Sequence, residues 1–118
     1  MPISAYLADL RRRIGSDLVL TPGVLAVIRD GTGQTLVQLR SDTSTWCVPG
    51  GCVDPTEAPA QAVVRESYEG TGLVVRPTRL AAVLGPLRAL YPNGDVVEMT
   101  AHVFVCEVIG CTLEPRDG

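Results

Sequence analysis

The stretch that decides the fold runs from residue 46 to residue 73 and reads WCVPGGCVDPTEAPAQAVVRESYEGTGL. Its first half is a loop rich in proline and glycine, and its second half is a short segment of helical character that is rich in carboxylates. Pro59 suits the first turn of a helix, where its missing N–H would have no partner anyway. Gly72 suits the position just past a helix C-terminus. We therefore predict a loop that leads directly into a helix that ends at Gly72.

Two carboxylates lie on one side of this predicted helix. Glu66 and Glu69 are three residues apart, so their side chains project about one turn from each other. With the backbone carbonyls of the glycine loop they form an oxygen-rich site, which suits Mg²⁺ or Mn²⁺. An ion in this place would hold a phosphate group of a substrate.

The spacing of these residues resembles the Nudix box, whose pattern is G-x5-E-x7-R-E-U-x-E-E-x-G-U, with U an aliphatic residue. The positions that match are Gly51, Glu57, Arg65, Glu66, Glu69, Gly72 and Leu73. Trp46 and Pro49-Gly50-Gly51 just before the box are also typical of the family. So many residues at fixed offsets make the resemblance specific.

The resemblance implies an α+β fold, a Nudix-like α/β/α sandwich with a mixed β-sheet, formed by residues 1–118 as a single domain. It also implies hydrolysis of a nucleoside diphosphate linked to another moiety, with Mg²⁺ or Mn²⁺ as cofactor. Glu66 and Glu69 match family carboxylates that bind metal or help to activate water, and the main-chain carbonyl of Gly50 would be a further metal ligand. Glu57 and Arg65 match an ion pair that orients the loop against the helix. We expect these four side chains to form the catalytic site.

Two positions depart from the family pattern. Ser67 replaces an aliphatic residue, which should weaken the packing of the helix slightly. Gly70 replaces the second Glu of the E-E pair, which in the family is usually a principal metal ligand. Two classes of function follow from Gly70: a hydrolase with an altered metal site, which we favour, and a catalytically impaired domain that binds a nucleotide or a protein partner.

The length and composition of the chain describe one ordinary globular domain. The net charge of −3 argues against a surface for nucleic acid, because phosphate backbones require clustered basic residues. No signal peptide and no apolar run long enough to span a bilayer are present in the sequence, so the expected location is the cytoplasm. The expected partner is a nucleotide-type small molecule.

Strands are predicted on both sides of the box. Val24–Ile28 and Thr35–Arg40 suggest a hairpin, and Val96–Val108 suggests a long central strand. Arg40 stands just before the box and is a candidate to bind a substrate phosphate, with an exposed strand end as the alternative. The resemblance implies that the turn at 91–95 borders the substrate pocket, as such loops do in Nudix relatives. Tyr91, Asn93 and Asp95 are therefore candidates to bind the substrate, with a plain β-turn as the alternative.

The remaining expectations concern the cysteines, the only histidine and the end of the chain. Two C-x4-C pairs allow a zinc site, but free buried thiols are preferred because structural zinc sites favour tighter spacings. His102 in mid-strand is interpreted as structural, with a catalytic base as the alternative.

A Nudix domain usually continues into a further helix, which we expect to be missing or truncated here. That would leave one face of the sheet uncovered and suggests a homodimer.

Overall fold

The computed structural model describes residues 4–39 and 46–111. The elements, in chain order, are α1 (Ala5–Ile14), β1 (Val19–Ile28), β2 (Gln38–Leu39), β3 (Trp46–Cys47), β4 (Gly50–Cys52), α2 (Pro59–Thr71), β5 (Leu73–Leu90) and β6 (Val96–Cys111). Among these residues, no helix is long and apolar enough to cross a membrane.

The main sheet has four strands in the order β4-β1-β6-β5. β1 runs parallel to β6 and antiparallel to β4, and β5 runs antiparallel to β6. The sheet is therefore mixed, which confirms the predicted α+β class, and β6 is central as predicted. A separate two-stranded sheet joins β2 to β3.

Helix α2 begins and ends where the sequence predicts. Pro59 occupies the first turn, and the Gln61 side chain accepts a hydrogen bond from the Ala58 N–H at 2.8 Å. Gly72 follows the helix in the left-handed conformation with φ 76°, a backbone geometry that glycine adopts without steric cost. Gly70 does not end the helix, which continues to Thr71.

The core lies between α2 and one face of the sheet. It is built from alternate residues of β1 and from their neighbours on β5, β6 and the inner face of α2: Val24, Ala26, Ile28, Val75, Cys106, Ala62 and Val63. This packing fixes α2 across the sheet, next to the short strand β4.

Two strand predictions need correction. β1 extends back to Val19 through Pro22, because the parallel pairing with β6 continues over this whole length. The predicted hairpin of Val24–Ile28 with Thr35–Arg40 is reduced to one bridge between Arg29 and Thr35. After that bridge the chain leaves β1 and pairs Gln38 with Cys47 instead.

Helix α1 is attached at the end of the sheet that is remote from β4. Arg11 donates a hydrogen bond to the Val96 carbonyl at 2.9 Å and lies 3.6 Å from the Asp95 carboxylate. The 91–95 turn, which the sequence predicts, is closed by a hydrogen bond from the Tyr91 N–H to the Asp95 carbonyl and by one from the Gly94 N–H to the Tyr91 carbonyl.

The outer part of β5 exposes large apolar side chains. They include Leu80, Val83, Leu84 and Leu87, which are between 39% and 54% exposed. This surface is consistent with the expected homodimer, which stays a prediction. The expected loss of a C-terminal helix concerns residues 112–118, which lie outside the described residues.

Candidate active site

The glycine loop passes very close to both the sheet and α2. A Cβ atom on Gly50 would collide with the Val24 carbonyl, and a Cβ on Gly51 would lie 2.5 Å from the Glu66 carboxylate. Only glycine allows both approaches. In the β1–β4 ladder, Ala26 donates to the Pro49 carbonyl and Val53 donates to the Pro22 carbonyl. Since hydrogen-bonded pairs alternate along an antiparallel ladder, the carbonyl of Gly50 points away from β1.

Glu66 is a buried carboxylate with an unfilled position. It is 6% exposed, and its Oε2 atom has no hydrogen-bond partner within the described part of the chain. Burial raises its pKa to about 7, because the loss of hydration outweighs the stabilisation that Arg65 provides. A buried acceptor without a partner is costly, so Glu66 is poised to accept a cation or a hydrogen-bond donor.

Arg65 connects the loop to the helix. Its guanidinium donates two hydrogen bonds to Glu57, at 2.7 and 3.0 Å, and one to the carbonyl of Cys52 at 3.0 Å. The Nη1 atom also donates to Glu66 at 2.9 Å and to Glu69 at 3.3 Å. Hydrogen bonding to Arg65 lowers the pKa of Glu57, so this pair stays ionised. One arginine therefore holds the three predicted carboxylates together.

The carboxylates differ in their access to solvent. The side chain of Glu69 is 41% exposed and that of Glu66 is 8% exposed. Glu69 is therefore accessible from solvent, whereas Glu66 lies at the floor of the site. Glu57 also accepts a hydrogen bond from the Asp54 N–H at 3.0 Å, which closes the loop between β4 and α2.

Position 70 faces a side chain that sequence reasoning did not single out. Gly70 is buried on α2, and a Cβ atom there would lie 3.0 Å from Oε1 and 3.3 Å from Nε2 of Gln38. The carboxamide of Gln38 thus lies where a longer side chain at position 70 would begin.

The site suits a small cation that prefers oxygen ligands. The unpartnered Oε2 of Glu66 and the space that Gly51 leaves beside it are the observations that support this fit. Across residues 4–39 and 46–111, however, no three His, Cys, Asp or Glu side chains form a group that could hold a metal ion. Glu66 fits a divalent ion on its own geometry, whereas Glu69 and the Gly50 carbonyl stay predicted ligands.

Three of the predicted substrate-binding residues, Tyr91, Asn93 and Asp95, lie in the turn next to α1. Asn93 donates a hydrogen bond to Asp95, which faces Arg11 and Ser16 near α1. Val96 follows Asp95 and stands five residues before Ala101, which pairs with Gly23 next to β4. Five residues span about 16 Å along a strand, so the turn and the glycine loop are far apart along the sheet. Tyr91 closes the same turn. Arg40 lies outside the described residues, and the substrate roles of all four stay predictions.

The histidine and the cysteines lie elsewhere in the sheet. The Nδ1 atom of His102 lies 3.0 Å from the carbonyl of Gly23, a contact that fits the structural interpretation. All four cysteines are free thiols. Cys106 is buried in the core, as expected for a structural thiol, but Cys111 is exposed, so the expectation of buried thiols does not hold for every cysteine.

The fold and the site together define an α+β domain in which a glycine loop lies against an acidic helix. The sequence model of the NUDIX domain matches residues 19–117. This chain therefore belongs to the Nudix family.

Individual relatives cover parts of the chain. It is 39% identical over 61 residues to a Photorhabdus laumondii protein described as an RNA pyrophosphohydrolase, a match that covers 52% of this chain and 35% of that protein. It is 37% identical over 60 residues to a MutT-like protein of Streptomyces ambofaciens, covering 51% of this chain and 39% of the relative. A crystal structure of a MutT protein from Methanosarcina mazei superimposes with a TM-score of 0.63 at 27% identity, covering 83% of this chain and 71% of that one. The aligned segments amount to little more than a third of the two sequence relatives.

Proposed function

We propose that this protein hydrolyses a pyrophosphate bond in a nucleoside diphosphate linked to another group, with Mg²⁺ or Mn²⁺ as cofactor. The observation that carries the proposal is the buried carboxylate of Glu66, which has an unpartnered oxygen and lies directly beside the glycine loop. Membership of the Nudix family and relatives described as pyrophosphohydrolases support the same reaction.

The chain would use its acidic residues in two ways. Glu66, Glu69 and the carbonyl of Gly50 would hold the ion, which neutralises the charge that develops on the phosphate oxygens. Glu69, whose side chain is 41% exposed, would orient a water molecule and accept its proton. Glu66 binds in its ionised form, and a cation beside it would favour that form over the protonated one.

Arg65 and Glu57 would act by positioning. Arg65 joins Glu57 in the loop to Glu66 and Glu69 on the helix, so it fixes the distance between the two halves of the site. The turn at 91–95 is joined to α1 instead, so the proposed reaction rests on the loop and the helix. A domain that binds a nucleotide without turnover is the competing function, since Gly70 leaves the ligand set small.

The test is the release of phosphorylated products from a panel of nucleotides. The panel contains oxidised and ordinary nucleoside triphosphates, ADP-ribose, other sugar nucleotides and a short RNA with a 5′ triphosphate. Each compound is incubated with Mg²⁺, with Mn²⁺ and with EDTA, for the parent, for Glu66→Gln and for Glu98→Gln. Glu98 is a suitable control because it pairs with Arg88 on β5, away from the glycine loop.

We expect release that depends on the metal from at least one compound, loss of it in Glu66→Gln and retention in Glu98→Gln. If nucleotides bind in calorimetry but none is cleaved, the protein is a binding domain and the proposed reaction is wrong.

A further inference from the structure

We propose that the carboxamide of Gln38 supplies the metal-binding oxygen that Gly70 cannot provide. The inference rests on the proposed function and goes beyond it, because it assigns a ligand outside the Nudix box to the site. Gln38 lies on β2, before the box in the chain, and neither spacing nor motif connects it to Gly70.

The carboxamide of Gln38 lies against the backbone of Gly70. Gly70 is buried, and a Cβ atom at this residue would be 3.0 Å from Gln38 Oε1, 3.3 Å from Nε2 and 3.5 Å from Cδ. The two shorter distances are below ordinary van der Waals contact, so the end of the Gln38 side chain fills the start of the space that a side chain at 70 would use. The Gln38 carboxamide and a larger side chain at position 70 would therefore compete for the same space.

This place lies on the face of α2 that carries Glu66. Gly70 follows Glu66 by four residues, and side chains with that spacing lie on one helix face with Cβ atoms about 5–6 Å apart. The carboxylate of Glu66 lies against Gly51 in the loop, and a Cβ atom at Gly70, one turn later on α2, would point at Gln38. The carboxamide thus stands on the same face as the buried carboxylate.

The pairing of β2 with β3 holds Gln38 in this position. The register of the pair sets Gln38 opposite Cys47. Cys47 lies three residues before Gly50, whose carbonyl is assigned to the site. This pairing therefore holds the strand of Gln38 beside the segment that leads into the glycine loop.

The chemistry of a carboxamide fits this role. Its oxygen is an acceptor with two lone pairs, and amide oxygens are accepted ligands of hard divalent ions. It carries no charge, so a site built with Gln38 in place of a second glutamate has one negative charge less and binds the ion less tightly than the carboxylate version.

The experiment measures Mn²⁺ affinity by calorimetry on protein without substrate, so it does not depend on turnover. We expect Gln38→Ala to weaken binding by about tenfold, and Gln38→Met, which keeps most of the volume but offers no oxygen, to weaken it similarly. Gln38→Glu should bind at least as tightly as the parent. Gln34→Ala is the matched control, because Gln34 is exposed in the turn before β2. Circular dichroism of each variant checks that it is folded.

Gly70→Glu, made in the parent and in Gln38→Ala, tests whether the two side chains share one place. The new carboxylate should restore binding in the Gln38→Ala background and add less in the parent, where it must displace Gln38. The two effects are then not additive. Equal gains in both backgrounds would overturn the inference.

Two other results are decisive. Parent-like affinity in Gln38→Met would show that Gln38 only fills space, and the proposed reaction would stand without it. Absence of Mn²⁺ binding in the parent itself would overturn both this inference and the metal-dependent function.

Discussion

Replacing Glu66 by Gln should stabilise the metal-free protein at alkaline pH and change it little in acid. The pKa of Glu66 in the folded state is raised from its ordinary 4.5 to about 7, chiefly by burial. A raised pKa means that the protonated form fits the fold and that the ionised form is penalised. The stability contributed by the protonated group is fully present below pH 4.5 and is lost as the pH rises through about 7.

The size of the effect follows from the shift. Each pKa unit corresponds to about 1.4 kcal/mol. Relative to a side chain that is always neutral, Glu66 costs the folded protein about 3 kcal/mol at pH 8, where it is ionised, and about 1 kcal/mol at pH 5, where the folded carboxyl is protonated but the unfolded one is largely ionised. The carboxamide introduced by Glu66→Gln mimics the protonated carboxyl and removes this cost. The advantage of Glu66→Gln over the parent should therefore grow by about 2 kcal/mol between the two pH values.

The assay is urea unfolding of the parent and Glu66→Gln at pH 5 and pH 8 in the presence of EDTA, with Glu98→Gln as the control. Because every other group titrates alike in both proteins, the difference between them isolates Glu66. Addition of Mg²⁺ at pH 8 should then raise the stability of the parent more than that of Glu66→Gln. A difference that does not change with pH, or a variant less stable than the parent at pH 8, would refute the burial argument.

Three further substitutions test other parts of the structure. Ser67→Ala should raise the unfolding free energy by about 1 kcal/mol in thermal denaturation, because the buried Ser67 hydroxyl has no partner in the described chain; a lower melting temperature would contradict this. Arg65→Lys should lower stability by about 2 kcal/mol in urea unfolding, since lysine cannot replace the two-point contact with Glu57; unchanged stability would mean that charge alone matters. Arg11→Ala should speed amide hydrogen exchange in α1 but not in α2, because Arg11 ties α1 to Asp95 and Val96; equal acceleration in both helices would show that the contact supports the whole domain.

The parts of the fold that could be predicted depend on signals that are local in sequence. The boundaries of α2 follow from Pro59 and Gly72, each of which acts through its own backbone geometry. The turn at 91–95 follows in the same way from Asn93-Gly94. The ion pair of Arg65 with Glu57 was expected from the family resemblance, and the structure adds the hydrogen bonds from Arg65 to Glu66 and to the carbonyl of Cys52.

The errors arise where pairing between distant segments decides the structure. Pro22 and Gly23 look like a break between segments, but they lie inside β1 because β6 pairs with it over its full length. The predicted hairpin fails for a related reason: β2 obtains its partner from β3, across residues 40–45, and not from β1. No local pattern reports which of two possible partners a short strand takes.

Gly70 illustrates the same limit at the site. From the sequence, a glycine in place of a glutamate means only that a ligand is lost, because the side chain that fills the space comes from a strand more than thirty residues earlier. Neither spacing nor a motif connects Gln38 to Gly70, so the fold is needed to join them. The consequence for function is specific: the effect of Gly70 on metal binding should be judged together with Gln38, since the two residues occupy one place.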